Sequence, residues 1–124
     1  MNNQNVYPIP IIGNETYKQV KGGINVAEYE LKDVVMDKSG ESIQFAHGTL
    51  MKTELDGKEH VDVVLRNVPR EEVFTRHMND NETVKVNLTS FAGEEFNKEL
   101  EVTSVNSTNP NDNLVQLESI ENNL

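Results

Sequence analysis

The chain has 124 residues, a net charge of −10 and an apolar fraction of 35%, which fits one small domain rather than several. It contains no cysteine, so disulfides, thiol catalysis and thiolate metal sites are excluded. The acidic excess argues against tight non-specific binding to duplex DNA, because such binding neutralises phosphates with Lys and Arg.

The first 23 residues predict an extended N-terminal arm rather than a regular element. Pro8 and Pro10 hold the backbone away from helix, and Gly22-Gly23 ends the stretch. The apolar residues of Val6–Ile12 could add to the sheet edge of a second copy, which would make a homo-oligomer through the arm.

Three strands are predicted after the arm. Their apolar residues recur at every second position, the period of a half-buried strand. We place them at Val26–Met36, Ser42–Leu55 and Glu59–Arg66. Asp56-Gly57 between the last two is typical of a two-residue hairpin turn. Gly48 is interpreted as a bulge or kink within the second strand.

A short helix is predicted next. Pro69 suits the first helical turn, where its missing N–H is not needed, and Asn67 is the predicted cap. Glu71–Glu72 in the first turn and Arg76–His77 in the last match the helix dipole. The charge order therefore supports a helix in this stretch.

Two further strands are predicted at Thr83–Thr89 and Phe96–Val105. A polar linker follows, and Leu114–Ile120 is either a last strand or a docked tail. The predicted organisation is an arm at residues 1–23, a single domain at 24–105, and an Asn-rich linker with a C-terminal strand or tail at 106–124.

The order of elements over residues 24–105 resembles the OB-fold, in which five strands close a small barrel. The predicted fold is therefore mainly β with one short helix, an OB-like five-stranded barrel of order β-β-β-α-β-β. The alternative is an α+β antiparallel sheet with one packed helix. The resemblance implies binding of single-stranded nucleic acid or oligosaccharide, and from it we predict a single-stranded DNA-binding accessory protein of a phage or plasmid.

The candidate nucleic-acid contacts are aromatic and basic residues, because single-strand binders stack bases on aromatics set in a basic groove. Tyr29 and Phe45 lie on the first two predicted strands, which help form the binding face in OB-folds. The basic candidates are Lys32, Lys52, Lys58, Arg66, Arg70 and Arg76. The alternative is that both aromatics belong to the core and that the arginines pair with nearby carboxylates.

No catalytic or metal-binding motif is visible. His47, His60 and His77 fall in no recognised ligand spacing, and no Gly-x-Ser-x-Gly nucleophile motif occurs. The sequence therefore predicts no enzyme activity, no metal and no cofactor.

Two other functions fit the same sequence. An acidic interaction module could dock on a basic protein as an inhibitor or adaptor, because acidic proteins associate with basic surfaces. An oligomeric structural protein could instead assemble through the arm. No run of about 18 apolar residues and no secretion signal occurs, so we predict a cytoplasmic protein without a membrane partner.

Overall fold

A computed structural model of the chain describes residues 11–12, 15–20 and 24–120. The strands are β1 (Ile11–Ile12), β2 (Glu15–Val20), β3 (Ile24–Met36), β4 (Ser42–Ile43), β5 (His47–Leu55), β6 (Lys58–Arg66), β7 (Val84–Ser90), β8 (Glu95–Asn106) and β9 (Leu114–Ser119), with the helix α1 (Glu72–Asn79) between β6 and β7. A short 3-10 helix, Pro110–Asp112, precedes β9. Within the described ranges, every helix is too short or too polar to cross a membrane.

Six of the described strands form a closed antiparallel barrel. β3 pairs with β5, β5 with β6, β6 with β9, β9 with β8 and β8 with β7, and β7 returns to β3. β2 is an additional strand that pairs with β3, and β1 pairs with β2. The predicted mainly β fold with an OB-like small barrel is confirmed, and the β7–β3 pairing excludes an open sheet.

The sixth barrel strand is β9, which lies between β6 and β8. From the sequence, this segment was predicted to be either a last strand or a docked tail. Val115 and Leu117 are fully buried, while Gln116 between them and Glu118 after them are only half-buried. This period-two alternation belongs to a barrel wall, so residues beyond 105 complete the barrel.

Part of the predicted arm is strand rather than irregular chain. β1 and β2 pair with each other, and β2 pairs with β3 of the same chain, with Tyr17 opposite Ala27. The predicted contact of Val6–Ile12 with a second copy falls mainly on residues 6–10, which lie outside the described residues.

The predicted hairpin is confirmed, but Gly48 has a different role from the one predicted. Asp56 and Gly57 have φ of 54° and 76°, which are the positive values of a mirror-image hairpin turn. At Gly48 the β5–β6 register is continuous. A Cβ there would lie 2.8 Å from the Phe45 ring and 2.9 Å from Leu65, so Gly48 permits close packing rather than a bulge.

The helix is confirmed as a short element, but its predicted cap is wrong. Its N-cap is Glu71, which makes no side-chain capping bond. Asn67 instead turns the chain from β6 toward α1, with a positive φ of 56°. Its backbone N–H donates a hydrogen bond to the Asn113 carbonyl. Glu72 in the first turn and Arg76–His77 in the last match the helix dipole as predicted.

A buried asparagine joins the start of β9 to the segment before α1. The Asn113 side chain is 4% exposed and accepts the Val68 N–H at 2.7 Å. Its amide nitrogen donates to the Val68 carbonyl at 2.9 Å. Both backbone polar groups of the buried Val68 are therefore satisfied by one side chain.

The core fills the barrel and extends beneath α1. Strand residues point inward at every second position, and α1 packs against β8 and buries Val73 and Phe74. The largest fully buried side chains include Phe74, Leu31, Leu50, Leu65, Leu88, Leu100 and Leu117. Burial of each such side chain stabilises the fold by about 1.5–3 kcal/mol, so the barrel is a packed scaffold for its surface residues.

Candidate functional site

Tyr29 and Phe45, the two aromatics predicted to stack on bases, both pack against the core of the protein. Tyr29 is 2% exposed, and its ring meets that of Phe96 edge-on with centroids 4.8 Å apart. Tyr29 therefore belongs to the core, which is the alternative that the sequence offered for this residue. Phe45 is half-buried and packs on the core and on Gly48. Phe91, in the turn after β7, is an exposed aromatic that the sequence did not single out.

Lys52 belongs to a charge network beside Tyr29. Its Nζ lies 3.9 Å from Glu59 Oε2 and 5.8 Å from the centre of the Tyr29 ring. The other Glu59 oxygen accepts a hydrogen bond from Lys98 at 3.1 Å. This lysine is therefore engaged within the chain.

Arg66 and Arg70 are held by separate carboxylates. Arg66 Nη2 lies 3.3 Å from Asp112 Oδ2. Arg70 donates from Nε to Glu72 and from Nη1 to Glu41, each at 2.6 Å. The Glu72 hydrogen bond and then the Glu41 charge raise the pKa of Arg70, and the same hydrogen bond lowers the pKa of Glu72. The two arginines do not form a common basic site.

The remaining candidates lie apart from one another. Lys32 is exposed on β3 beside its bulge, and Lys58 is exposed at the start of β6. Neither forms an ion pair with another described residue. Arg76 lies on α1 and faces a groove, whereas these two lysines do not. The predicted set is therefore dispersed over several surfaces.

A cationic groove lies between α1, the turn after β3 and the start of β7, with a cavity volume of about 740 Å³. We define this cationic groove by its four basic lining residues, which are Lys38, Arg70, Arg76 and Lys85. They are four of the eleven Lys and Arg residues of the chain. Glu41, Glu82 and Glu99 also line it, so the groove carries charges of both signs.

An acidic row crosses five neighbouring strands of the barrel at one level. The register places Glu28 of β3 beside Met51 of β5, and Met51 beside Asp62 of β6. Asp62 is opposite Glu118 of β9, and Glu118 is opposite Glu101 of β8. The residues flanking each member along its strand include buried ones, so the row lies on the outer face. These five residues, four of them carboxylates, are called the acidic row.

Among the residues whose side chains are described, the surroundings of the acidic row add little positive charge. The next row carries a further carboxylate, Glu30, opposite Thr49. On the outer face of β6, Lys58 and Arg66 lie at its two ends, and Arg66 is paired with Asp112. The centre of this face is therefore negative.

A histidine faces two carboxylates of the row. His60 Nε2 lies 3.3 Å from Asp62 Oδ1 and 3.6 Å from Glu118 Oε1. The other ring nitrogen, Nδ1, lies 3.4 Å from Ser119 Oγ. All three charged side chains are about one-third exposed. Three ligand-type atoms from two strands thus lie within 4.8 Å of one another.

The sequence alone indicates two of the three members of this cluster. His60-x-Asp62 in a predicted strand places both side chains on one face, because a strand has a period of two. Glu118 is brought beside them by the β6–β9 register, which the sequence did not predict.

Comparison with protein-family models, with curated proteins and with solved structures finds no match to this chain. A proposal about function therefore depends on the chemistry of these surfaces.

Proposed function

We propose that this protein is a non-enzymatic interaction module that docks on a basic surface of a partner protein through its acidic row. The observation that carries the proposal is the row itself, in which Glu28, Asp62, Glu118 and Glu101 lie at one level of the barrel. A lysine- or arginine-rich surface is the complementary partner chemistry. We place this function in the cytoplasm, in keeping with a chain without cysteine.

The electrostatics of the row support a binding role. Like charges directly opposite on neighbouring strands destabilise a sheet by about 0.2–1 kcal/mol per pair. Asp62, Glu118 and Glu101 make two such pairs in succession. A cationic partner would relieve this repulsion, and the field of the row would speed the encounter.

The test measures the affinity of a fluorescent lysine-rich peptide by anisotropy at low salt. The row variant carries Glu28→Gln, Glu101→Gln and Glu118→Gln. The control variant carries Asp56→Asn, Asp80→Asn and Glu94→Gln, which are exposed carboxylates away from the row. Each variant loses three negative charges, so both move from −10 to −7.

The row variant is expected to lose about tenfold in affinity, equivalent to about 1.4 kcal/mol, and the control variant less than half of that free energy. An equal loss in both variants would show that net charge alone attracts the peptide, and the row would then have no special role.

Single-stranded DNA binding is the second candidate, as an accessory protein of a phage or plasmid. It is favoured by the cationic groove, where Lys38 and Lys85 form no ion pair with another described residue. Such groups are available to phosphates, which supply most of the affinity of single-strand binders.

The groove is tested with labelled oligo-dT at several salt concentrations. Lys38→Gln with Lys85→Gln removes two groove cations, and Lys32→Gln with Lys58→Gln removes two exposed lysines elsewhere. The groove variant should reduce the slope of log affinity against log salt by about 1.4, since each single-strand phosphate contact contributes about 0.7. Absence of binding by the unaltered protein at low salt, or equal slopes for both variants, would reject this candidate.

A further inference from the structure

The cluster of His60, Asp62 and Glu118 has the donor set of a transition-metal site. A neutral imidazole nitrogen and carboxylate oxygens are the ligands that zinc takes beside thiolates. Each side chain comes from a paired strand, and Asp62 and Glu118 are direct register partners. The ligand atoms are therefore positioned by barrel backbone rather than by loops.

The distances fit a metal ion at the centre of the three atoms. Metal–ligand bonds of about 2.1 Å give a tetrahedron whose edge is about 3.4 Å. Nε2 of His60 lies 3.3 Å from Asp62 and 3.6 Å from Glu118, close to that edge. The Asp62 and Glu118 oxygens also lie within 4.8 Å of each other, so the three side chains converge on one point, and a tetrahedral ion there would take its fourth ligand from solvent. We propose that His60, Asp62 and Glu118 bind one divalent transition-metal ion, with Zn²⁺ the best-matched.

Ser119 orients the imidazole for this role. Its Oγ accepts the Val61 N–H at 2.9 Å, which fixes the hydroxyl against the β6 backbone. With a proton on Nδ1 donated to Ser119 Oγ, His60 turns the lone pair of Nε2 toward the two carboxylates. That arrangement is repulsive until a proton or a metal ion occupies the space between them. Such hydrogen bonds to the second ring nitrogen commonly orient metal-binding histidines.

The charge around the cluster also favours a cation. Glu101 is the register partner of Glu118 on its other side, and Glu28 lies two strands from Asp62 in the same row. A divalent ion between Asp62 and Glu118 would offset the repulsion between these carboxylates. The inference does not rest on the proposed function, since the metal alone is the probe and no partner protein is needed.

The test is calorimetric titration of tag-free, full-length protein with ZnCl₂. One ion per chain is expected. His60→Ala, Asp62→Asn and Glu118→Gln should each weaken binding by at least about 100-fold, and Ser119→Ala by about 10- to 100-fold, as loss of an orienting partner does. His47→Ala and Glu95→Gln are the matched controls, since each removes the same kind of group outside both the cluster and the acidic row. Both should retain the affinity within about threefold.

Two spectroscopic readouts keep the proposal falsifiable if one variant fails to fold. Co²⁺ should give the intense visible absorption of a tetrahedral site, and Zn²⁺ should shift the imidazole resonances of His60 but not those of His47. Unchanged His60 resonances, or equal zinc affinity in folded Glu118→Gln and in the unaltered protein, would overturn the assignment.

Discussion

The acidic row and the cationic groove are both charged surfaces, but they are neutralised to different degrees. In the groove, Arg70 is held by Glu41 and Glu72, and further carboxylates lie among the remaining cations. In the row, Asp62, Glu118 and Glu101 follow one another across three strands, with His60 beside two of them. A surface whose charges are already partly paired within the protein gains less binding free energy from a charged ligand. This difference is the reason for ranking the row above the groove.

The two surfaces also differ in what holds them in place. The row lies on paired strands of the barrel, so its side chains are positioned by the strand register. The groove depends on a short helix that buries Val73 and Phe74 and on the segment held by Asn113. The surfaces can therefore be perturbed separately.

The largest effect is expected at the helix anchor. Phe74→Ala should lower the free energy of unfolding by about 3–5 kcal/mol, because Phe74 is fully buried. Phe91→Ala, at the exposed aromatic, should change it by less than about 0.5 kcal/mol. Urea denaturation of both variants measures the contrast. Similar losses would mean that α1 is not anchored through Phe74.

The next effect is expected at the segment between β6 and α1. Asn113→Ala should cost about 2–4 kcal/mol, because it leaves the buried N–H and C=O of Val68 without partners. Asn111→Ala is the control, since its side chain is exposed beside the same 3-10 helix. Thermal unfolding monitored by circular dichroism compares them, and equal midpoints would contradict the role assigned to Asn113.

A smaller effect of opposite sign is expected in the row. Glu101→Gln should raise the free energy of unfolding by about 0.2–1 kcal/mol, because it removes one repulsive pair with Glu118. Glu95→Gln on the same strand lies opposite Thr89 and should have no such effect. Low-salt urea denaturation measures both. Destabilisation by Glu101→Gln would show that the row is not under electrostatic strain.

The smallest effect is expected on the pKa of Glu72 in the exposed Arg70–Glu72 pair of the groove. Hydrogen bonding to Arg70 lowers the pKa of Glu72, so the pair stabilises the folded chain above the ordinary glutamate pKa, and this contribution is lost as pH falls through the lowered value. Arg70→Gln should move the pKa of Glu72 back up toward the ordinary range. An NMR titration of the Glu72 carboxyl carbon measures it, and an unchanged pKa would contradict the pairing.

The sequence predicted local features well because local chemistry determines them. The Asp56-Gly57 turn, the alternation of the long strands and the dipole-matched charges of α1 were all predicted correctly. The predictions at Gly48 and Asn67 were wrong. Gly48 is explained by the ring of Phe45, and Asn67 by the carbonyl of Asn113, which are tertiary contacts that a local pattern does not encode.

The charged surfaces were less predictable than the fold. The three arginines are close in sequence, but Arg66 and Arg70 are held by Asp112, Glu41 and Glu72. The acidic row draws one residue from each of five strands. It exists only through the register of the closed barrel, and β9, which supplies Glu118, was not assigned with certainty from the sequence.

The most direct test of the central claim is a ¹⁵N NMR titration of the full-length protein with a lysine-rich peptide. If the acidic row is the docking surface, the backbone amides of Glu28, Asp62 and Glu118 should shift, the shifts should weaken with added salt, and Lys38 and Lys85 should change little. Shifts spread evenly over exposed carboxylates, or confined to the cationic groove, would contradict the assignment of the acidic row as the docking surface.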